Sequence, residues 1–543
     1  MAQMIGRARS SAWWGRIEIL AVIVAALVPR LRTVGNFETI DEILWTRRVQ
    51  VFSDALTNFE PSKASVTGAP NLFGGTLATM PGVPTMWLGS IGRLVWGIGR
   101  DVGVVEGRST FYESRAGLTA AQLSVAVATS LLIGLVVWLV ARWAASPRAG
   151  LVAGLLLATE PFWVAHGSVI HTDELTSLFG LSGLLALGLV LGVPRVDERF
   201  LHRRWLAVLA GFLLVCSPLT KISGMAFAPG ALLIVVWAAV RAMRSRDPEL
   251  SAAAALKPLG RAFAVVALVA VATVLVLWPA VWADPGTQLD RLQDSVGIGY
   301  HDRATFFLGE VRRSSIPIFY AVALPFRMTP WMLAGLVIGV PVALARRSTR
   351  AHAAILVAAV LPILYTLSTA GQQIDRYGLL VLGPLVVVVG IATTAGARES
   401  PRTTSLVRWG VLGAGLLATV HATVVAPWGL AYFNPVLGGG SAAEDNVSVG
   451  WQEGQEIASR RMKELERGRC EDVTYNGLNF FLITARECGT WVKDPKKATY
   501  VALYVTQRQT MSPAQKRALT KGRELVSVVR IRDIDYVELW RKR

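Results

Sequence analysis

The sequence predicts an all-α polytopic membrane protein of about eleven transmembrane helices, followed by a small extracytoplasmic α/β domain. Three observations predict it: the abundance and length of the apolar runs, the placement of arginine between them, and a change of composition near residue 430. The 543 residues are 53% hydrophobic and 17% charged, with a mean hydropathy of +0.46. Soluble domains carry about 25% charge. The apolar residues also come in runs, such as Ala120–Val140, Phe263–Leu277, Ala353–Leu367 and Gly378–Ala392. These approach or reach the ~20 residues that cross ~30 Å of hydrocarbon at ~1.5 Å per residue. A large soluble protein with buried helices has no need of so many.

In chain order the expected spans are 17–35, 118–141, 149–164, 174–193, 205–219, 222–240, 262–282, 331–345, 352–369, 377–396 and 407–428. The basic Met1–Arg16 stretch lacks a small-residue cleavage pattern, so the first run reads as a retained anchor. Alternate loops are arginine-rich. One set holds Arg7, Arg9 and Arg16, then Arg142 and Arg148, then Arg195, Arg199, Arg203 and Arg204. It continues with Arg241, Arg244, Arg246, Lys257 and Arg261, then Arg346, Arg347 and Arg350, then Arg398, Arg402 and Arg408. The short loops between them carry almost no Lys or Arg. By the positive-inside rule the arginine-rich side is cytoplasmic. The formal net charge of +18 is therefore an orientation signal for a bilayer, not a nucleic-acid footprint.

Three larger segments then fall outside: Asn36–Arg115, Ala283–Thr329 and Ala431–Arg543. In the first two, Pro81–Gly99 and Ile316–Phe326 are too short or too broken by Gly and Pro for spans. They read as interfacial or re-entrant helices. The chain thus divides into a membrane domain, 1–430, and an outer domain, 431–543. In the outer domain the run Thr499–Thr506 and the segments Glu524–Arg530 and Tyr536–Trp540 read as strands, and Trp451–Arg467 as a helix. Cys216 lies in an apolar run and reads as an inert core thiol. Cys470 and Cys488 share the outer domain, where a disulfide can form or both thiols can stay free. No CxxC spacing suggests a metal site.

Candidate chemistry gathers at the outer ends of the spans. Asp41-Glu42 follows the first span, and either carboxylate is a candidate base whose pKa desolvation would raise. An ordinary solvated loop also reads this way. His166, His171, Asp173 and Glu174 lie between two spans with no local Lys or Arg, and a carboxylate placed centrally in the membrane costs ~2.5–3.5 kcal/mol, so the cluster suggests a site. Lys221 stands in a very short outer turn, His301-Asp302-Arg303 in the second outer segment, and Asp375-Arg376-Tyr377 opens the tenth span. Their cations suit a lipid phosphate, which arginine grips with a bidentate fork. Taken alone, Arg376 also reads as a residue snorkelling from a helix end.

The ordered set of short motifs resembles the GT-C class of membrane glycosyltransferases, and within it glycosyltransferase family 39. The matching elements are Asp41-Glu42, Pro81-Gly82, Pro161-Phe162 through His171-Thr172-Asp173, and Lys221-Ile-Ser-Gly224. They continue with Trp278-Pro279, Asp375-Arg376-Tyr377, Tyr432-Phe-Asn-Pro435 and Gly450-Trp-Gln-Glu-Gly454, so the resemblance covers nearly the whole chain. Two departures are Met80 where a His often precedes Pro-Gly, and Trp45 where a Tyr commonly follows the acidic pair. The resemblance implies inverting transfer of a sugar from a polyprenyl-phosphate donor to an extracytoplasmic acceptor, protein, lipid or cell-wall glycan, at a bacterial plasma membrane. It implies Asp41 as base, with Glu42 orienting it or the acceptor. It also implies Lys221, Arg303, Arg376 and Tyr377 around the donor phosphate, and Asp173 with His301 holding a divalent ion or the donor sugar. Two rival readings are a flippase of lipid-linked sugars and a non-catalytic glycan-binding protein of the cell envelope. The sequence shows no convincing internal repeat of the kind transporters carry.

Overall fold

Each expected span contains a helix, with 149–164 broken at Glu160 and 262–282 at Trp278-Pro279, in the computed structural model, which describes residues 2–65, 81–105, 109–244, 251–298, 304–394, 401–478 and 487–543. The helices run α1 (Ala2–Thr33), α2 (Glu42–Thr57), α3 (Val83–Asp101), α4 (Arg115–Trp143), α5 (Pro147–Thr159), α6 (Pro161–His166), α7 (Asp173–Val190) and α8 (Arg204–Thr220). Next come α9 (Ala228–Arg244), α10 (Ala252–Leu277), α11 (Ala280–Ala283) and α12 (Pro285–Ile298). A hairpin, β1 (Thr305–Phe307) and β2 (Glu310–Arg312), precedes α13 (Phe319–Arg327). The last membrane-type helices are α14 (Pro330–Ala345), α15 (Arg350–Thr369), α16 (Leu379–Ala392) and α17 (Pro401–Val425). Among the described residues seven helical segments are long and apolar enough to cross a membrane, and α5, α8 and α14 are shorter apolar helices.

Local chemistry explains where these helices begin. The Ser114 hydroxyl accepts from Gly117 N at 2.9 Å and starts α4. Ser146 and Thr329 cap α5 and α14, each with proline in the first turn. Helix α7 is wholly buried, with α4, α8 and α16 packed around it. By contrast α10 and α17 expose large apolar side chains, including Leu268, Val276, Leu416 and Leu417. An all-round apolar helix at the centre and apolar faces outside are what a bundle in hydrocarbon requires.

The arginine-rich loops meet at one end of the bundle. Arg195 donates to Ser348 O at 2.9 Å, Arg148 to Thr393 O at 3.3 Å, and Arg241 to Leu191 O at 2.7 Å. The first residues of α7, the last of α8 and the turn Asp375–Gly378 meet elsewhere, beside the C-terminal region. That region adds α18 (Gly439–Asn446), α19 (Gln455–Leu465), β3 (Thr474–Asn476), β4 (Thr490–Trp491) and β5 (Tyr500–Tyr504). It ends with α20 (Val505–Thr510), α21 (Pro513–Thr520), β6 (Arg523–Ile531) and β7 (Ile534–Lys542). The strands form one mixed sheet in the order β4-β3-β5-β7-β6, parallel from β4 to β5 and antiparallel beyond. The three strands and one helix read from the sequence are β5, β6, β7 and α19. The very short β1 to β4 carry no periodicity long enough to read. Cys470 and Cys488 are bridged, while Cys216 is a buried free thiol.

Candidate functional site

Asp41 occupies the N-cap position of α2. Its Oδ2 lies 3.3 Å from Arg376 Nη2, 3.2 Å from Trp451 Nε1 and 3.5 Å from His171 Nε2. Asp173, the first residue of α7, is buried and shared by three partners. Lys221 Nζ lies 2.5 Å from its Oδ1, while Arg376 Nε and His171 Nδ1 each lie 3.1 Å from its Oδ2. Arg376 thus bridges the two aspartates and leaves 14% of its side chain exposed. It is a member of a paired network, not a snorkelling helix-end residue. Lys221, the residue after α8, is likewise paired. Its ammonium also sits 3.9 Å from the centre of the Tyr377 ring.

Glu42 diverges from its neighbour. It is fully buried and accepts from Thr39 N at 2.8 Å, Gln122 Nε2 at 2.9 Å and Ile170 N at 2.9 Å. It fastens the Asp41 loop to α4 and to the loop before α7, and with no exposed surface it cannot meet an acceptor. Burial pushes its carboxyl up to about 8 against the pull of those three donors. Asp41 behaves oppositely to the sequence expectation. Burial pushes it upward too, but the His171 hydrogen bond and the Arg376 charge outweigh this and hold it at about 2.

A second shell of charge backs this array. Arg327 Nε lies 2.5 Å from Asp375 Oδ2, and its guanidinium stacks 4.0 Å from the Phe433 ring centre. Glu174, which the sequence groups with Asp173, instead pairs with the fully buried Arg30 at 2.6 Å. Gly167 passes so close to this pair that a Cβ there would strike both side chains. That approach draws the His166–His171 loop against α1 and α7.

Trp451 comes from the C-terminal region, where the sequence marks it as part of a motif and as the start of a helix that the structure begins only at Gln455. Gly450, at φ +101°, turns the chain under the Tyr504 hydroxyl and presents the indole. Glu453 holds the turn, accepting from Trp451 N at 2.5 Å and from the Tyr504 hydroxyl at 2.7 Å. The indole stacks 4.1 Å under the Arg376 guanidinium and meets His171 edge-on at 5.0 Å. A cavity of about 410 Å³ opens beside it, bordered by Asp41, His166, Arg327, Arg376, Trp451 and Glu453.

His301 and Arg303 lie outside the described residues. The Asp173 oxygens, expected to hold a divalent ion or the donor sugar, face Lys221 on one side and Arg376 with the His171 imidazole on the other. Among the described residues no group of three or more His, Cys, Asp or Glu has metal-holding geometry.

No family model matches the chain, and no curated protein sequence matches it. Solved structures do. ArnT from Cupriavidus metallidurans bound to undecaprenyl phosphate superposes with a TM-score of 0.50 at 16% identity, covering 96% of this chain and 97% of that one. The apo form of that ArnT gives 0.49 at 14% identity, covering 98% of each chain. The oligosaccharyltransferase AglB from Archaeoglobus fulgidus, in complex with an inhibitory peptide and a dolichol-phosphate, gives 0.46 at 13% identity. It covers 94% of this chain and 71% of that one. The ArnT match, over nearly the full length of both chains, shows the fold: this is a multi-pass membrane protein whose helices and C-terminal sheet are arranged as in ArnT.

Proposed function

We propose that the protein is a membrane glycosyltransferase that takes a sugar from a polyprenyl-phosphate carrier and passes it to an extracytoplasmic acceptor. The observation that carries this reading is the Asp41–Arg376–Asp173–Lys221 array beside a 410 Å³ cavity. A carrier confined to the bilayer presents its phosphate at the interface, where helix-end cations can meet it. ArnT, whose fold this chain shares, was crystallised with such a phosphate.

The acceptor hydroxyl attacks the anomeric carbon and gives its proton to Asp41. The anomeric carbon–oxygen bond to phosphate breaks, and its electron pair leaves on the phosphate beside Arg376 and Lys221. One displacement inverts the anomeric centre. Asp41 at about 2 is a weak base while His171 and Arg376 face it. A donor phosphate competes for that guanidinium, so donor binding frees Asp41 to accept a proton. Asp173 holds Lys221 on one oxygen and Arg376 beside the other. The C-terminal domain completes the site through Trp451, and we place the arginine-poor end of the bundle outside the cell.

Purified protein in liposomes, given a radiolabelled polyprenyl-phosphate sugar and cell-envelope extract, should move label into acceptor. Label crossing the bilayer while still on its carrier would replace this reading with a flippase.

A further inference from the structure

His166 ends α6 at the wall of the cavity, and only 3% of the residue is exposed. Neither ring nitrogen has a hydrogen-bond partner among the described residues. A buried polar group left unpaired costs ~1–3 kcal/mol, so such groups are matched to something. The ring itself is firmly placed, edge-on to Phe162 at 4.7 Å and beside Trp451 at 5.5 Å. Its charged and titratable neighbours are Asp173, Arg376, His171 and Arg327. Burial dominates among these influences and keeps the imidazole neutral. A neutral imidazole offers one donor and one acceptor. A phosphate wants donors only and already has Arg376 and Lys221. A hydroxyl both donates and accepts, and it fits a neutral imidazole.

We propose that His166 binds a sugar hydroxyl in this cavity, making it a substrate-contact residue next to the Asp41 base. The proposal deepens the glycosyltransferase reading and rests on it. The hydroxyl belongs either to the donor sugar or to the acceptor, and two arms of one experiment separate these sources. The full-length protein in detergent is melted with undecaprenyl phosphate and with undecaprenyl-phosphate mannose, and transfer is assayed against acceptor concentration. His166→Phe keeps the ring contacts and removes both nitrogens, while His166→Gln restores one donor and one acceptor.

Loss in His166→Phe of the extra stabilisation that the mannosyl group gives, with stabilisation by the bare phosphate retained, assigns the hydroxyl to the donor. Retention of that increment with a roughly tenfold rise in acceptor KM assigns it to the acceptor. Partial recovery in His166→Gln separates hydrogen bonding from packing, and that variant carries the test if His166→Phe does not fold. Unchanged melting increments and unchanged KM in a folded variant overturn the proposal alone. A wild-type protein that neither binds undecaprenyl phosphate nor transfers sugar overturns the glycosyltransferase reading itself.

Discussion

The Arg376 guanidinium lies 3.3 Å from the Asp41 carboxylate, although 335 residues separate them in the chain. This contact sets the resting state of the site. With the His171 hydrogen bond it keeps Asp41 ionised, and it makes part of the Asp41 basicity depend on what else competes for Arg376.

Asp41→Asn keeps the size of the side chain and removes the base. Transfer at saturating donor and acceptor should fall by roughly two to four orders of magnitude, and the melting temperature should fall as well, because the ion pair with Arg376 is lost. The pH profile follows from the same contact. With Asp41 held at about 2, kcat/KM should show no acid limb from this carboxylate above about pH 4. Removing the guanidinium in Arg376→Ala should bring that limb to higher pH. The stability linkage has the matching sign. The folded-state pKa lies below the ordinary 3.8, so the Asp41 contribution is present above that value and lost as pH falls through about 2. Near wild-type transfer by a folded Asp41→Asn protein would put the base elsewhere.

Asp173→Asn should act mainly through stability. The carboxylate is buried against Lys221 and Arg376, and removing one partner of a buried ion pair costs ~3–5 kcal/mol. Thermal melting in detergent should drop by several degrees, and added divalent ion should not restore it. Recovery with magnesium or manganese would show that Asp173 is a metal ligand after all.

Glu42→Gln should also destabilise, for a geometric reason. Three N–H donors converge on the two Glu42 oxygens. Above about pH 8, where the carboxyl is ionised, an amide in its place offers only one oxygen, so either flip sets its NH2 against at least one of them. A loss of ~1–3 kcal/mol is expected, read as a lower melting temperature. Unchanged melting would mean that the Asp41 loop is fastened by other contacts.

Topology is tested by labelling. Cysteines introduced singly at Arg244 and Arg347 should resist an impermeant thiol reagent in intact cells, and one at Arg517 should react. Labelling at position 244 from outside would reverse the bundle and remove the proposed site from the extracytoplasmic face.

The apolar helices and the change to a mixed sheet were legible because each is a local signal. An apolar run such as Ala120–Val140 declares a helix by its length alone, and arginine clusters declare a side by composition. The individual site residues Asp41, Asp173, Lys221 and Arg376 were legible as charges standing where apolar runs end. What they do to one another was not. The rise in pKa expected for Asp41 from burial is reversed by Arg376 and His171, which only helix packing brings near. Adjacent carboxylates parted for the same reason. The start of α2 leaves Asp41 beside the cavity and turns Glu42 inward to Gln122, just as Glu174 turns from Asp173 to Arg30. Trp451, 410 residues from Asp41, reaches it only because the C-terminal sheet docks over the helix ends. Sequence by itself determined which segments form apolar helices long enough for a bilayer, because hydrophobic transfer is decided run by run. Tertiary structure alone decided which charges pair, because coulombic and hydrogen-bond energies depend on distances that chain order does not encode.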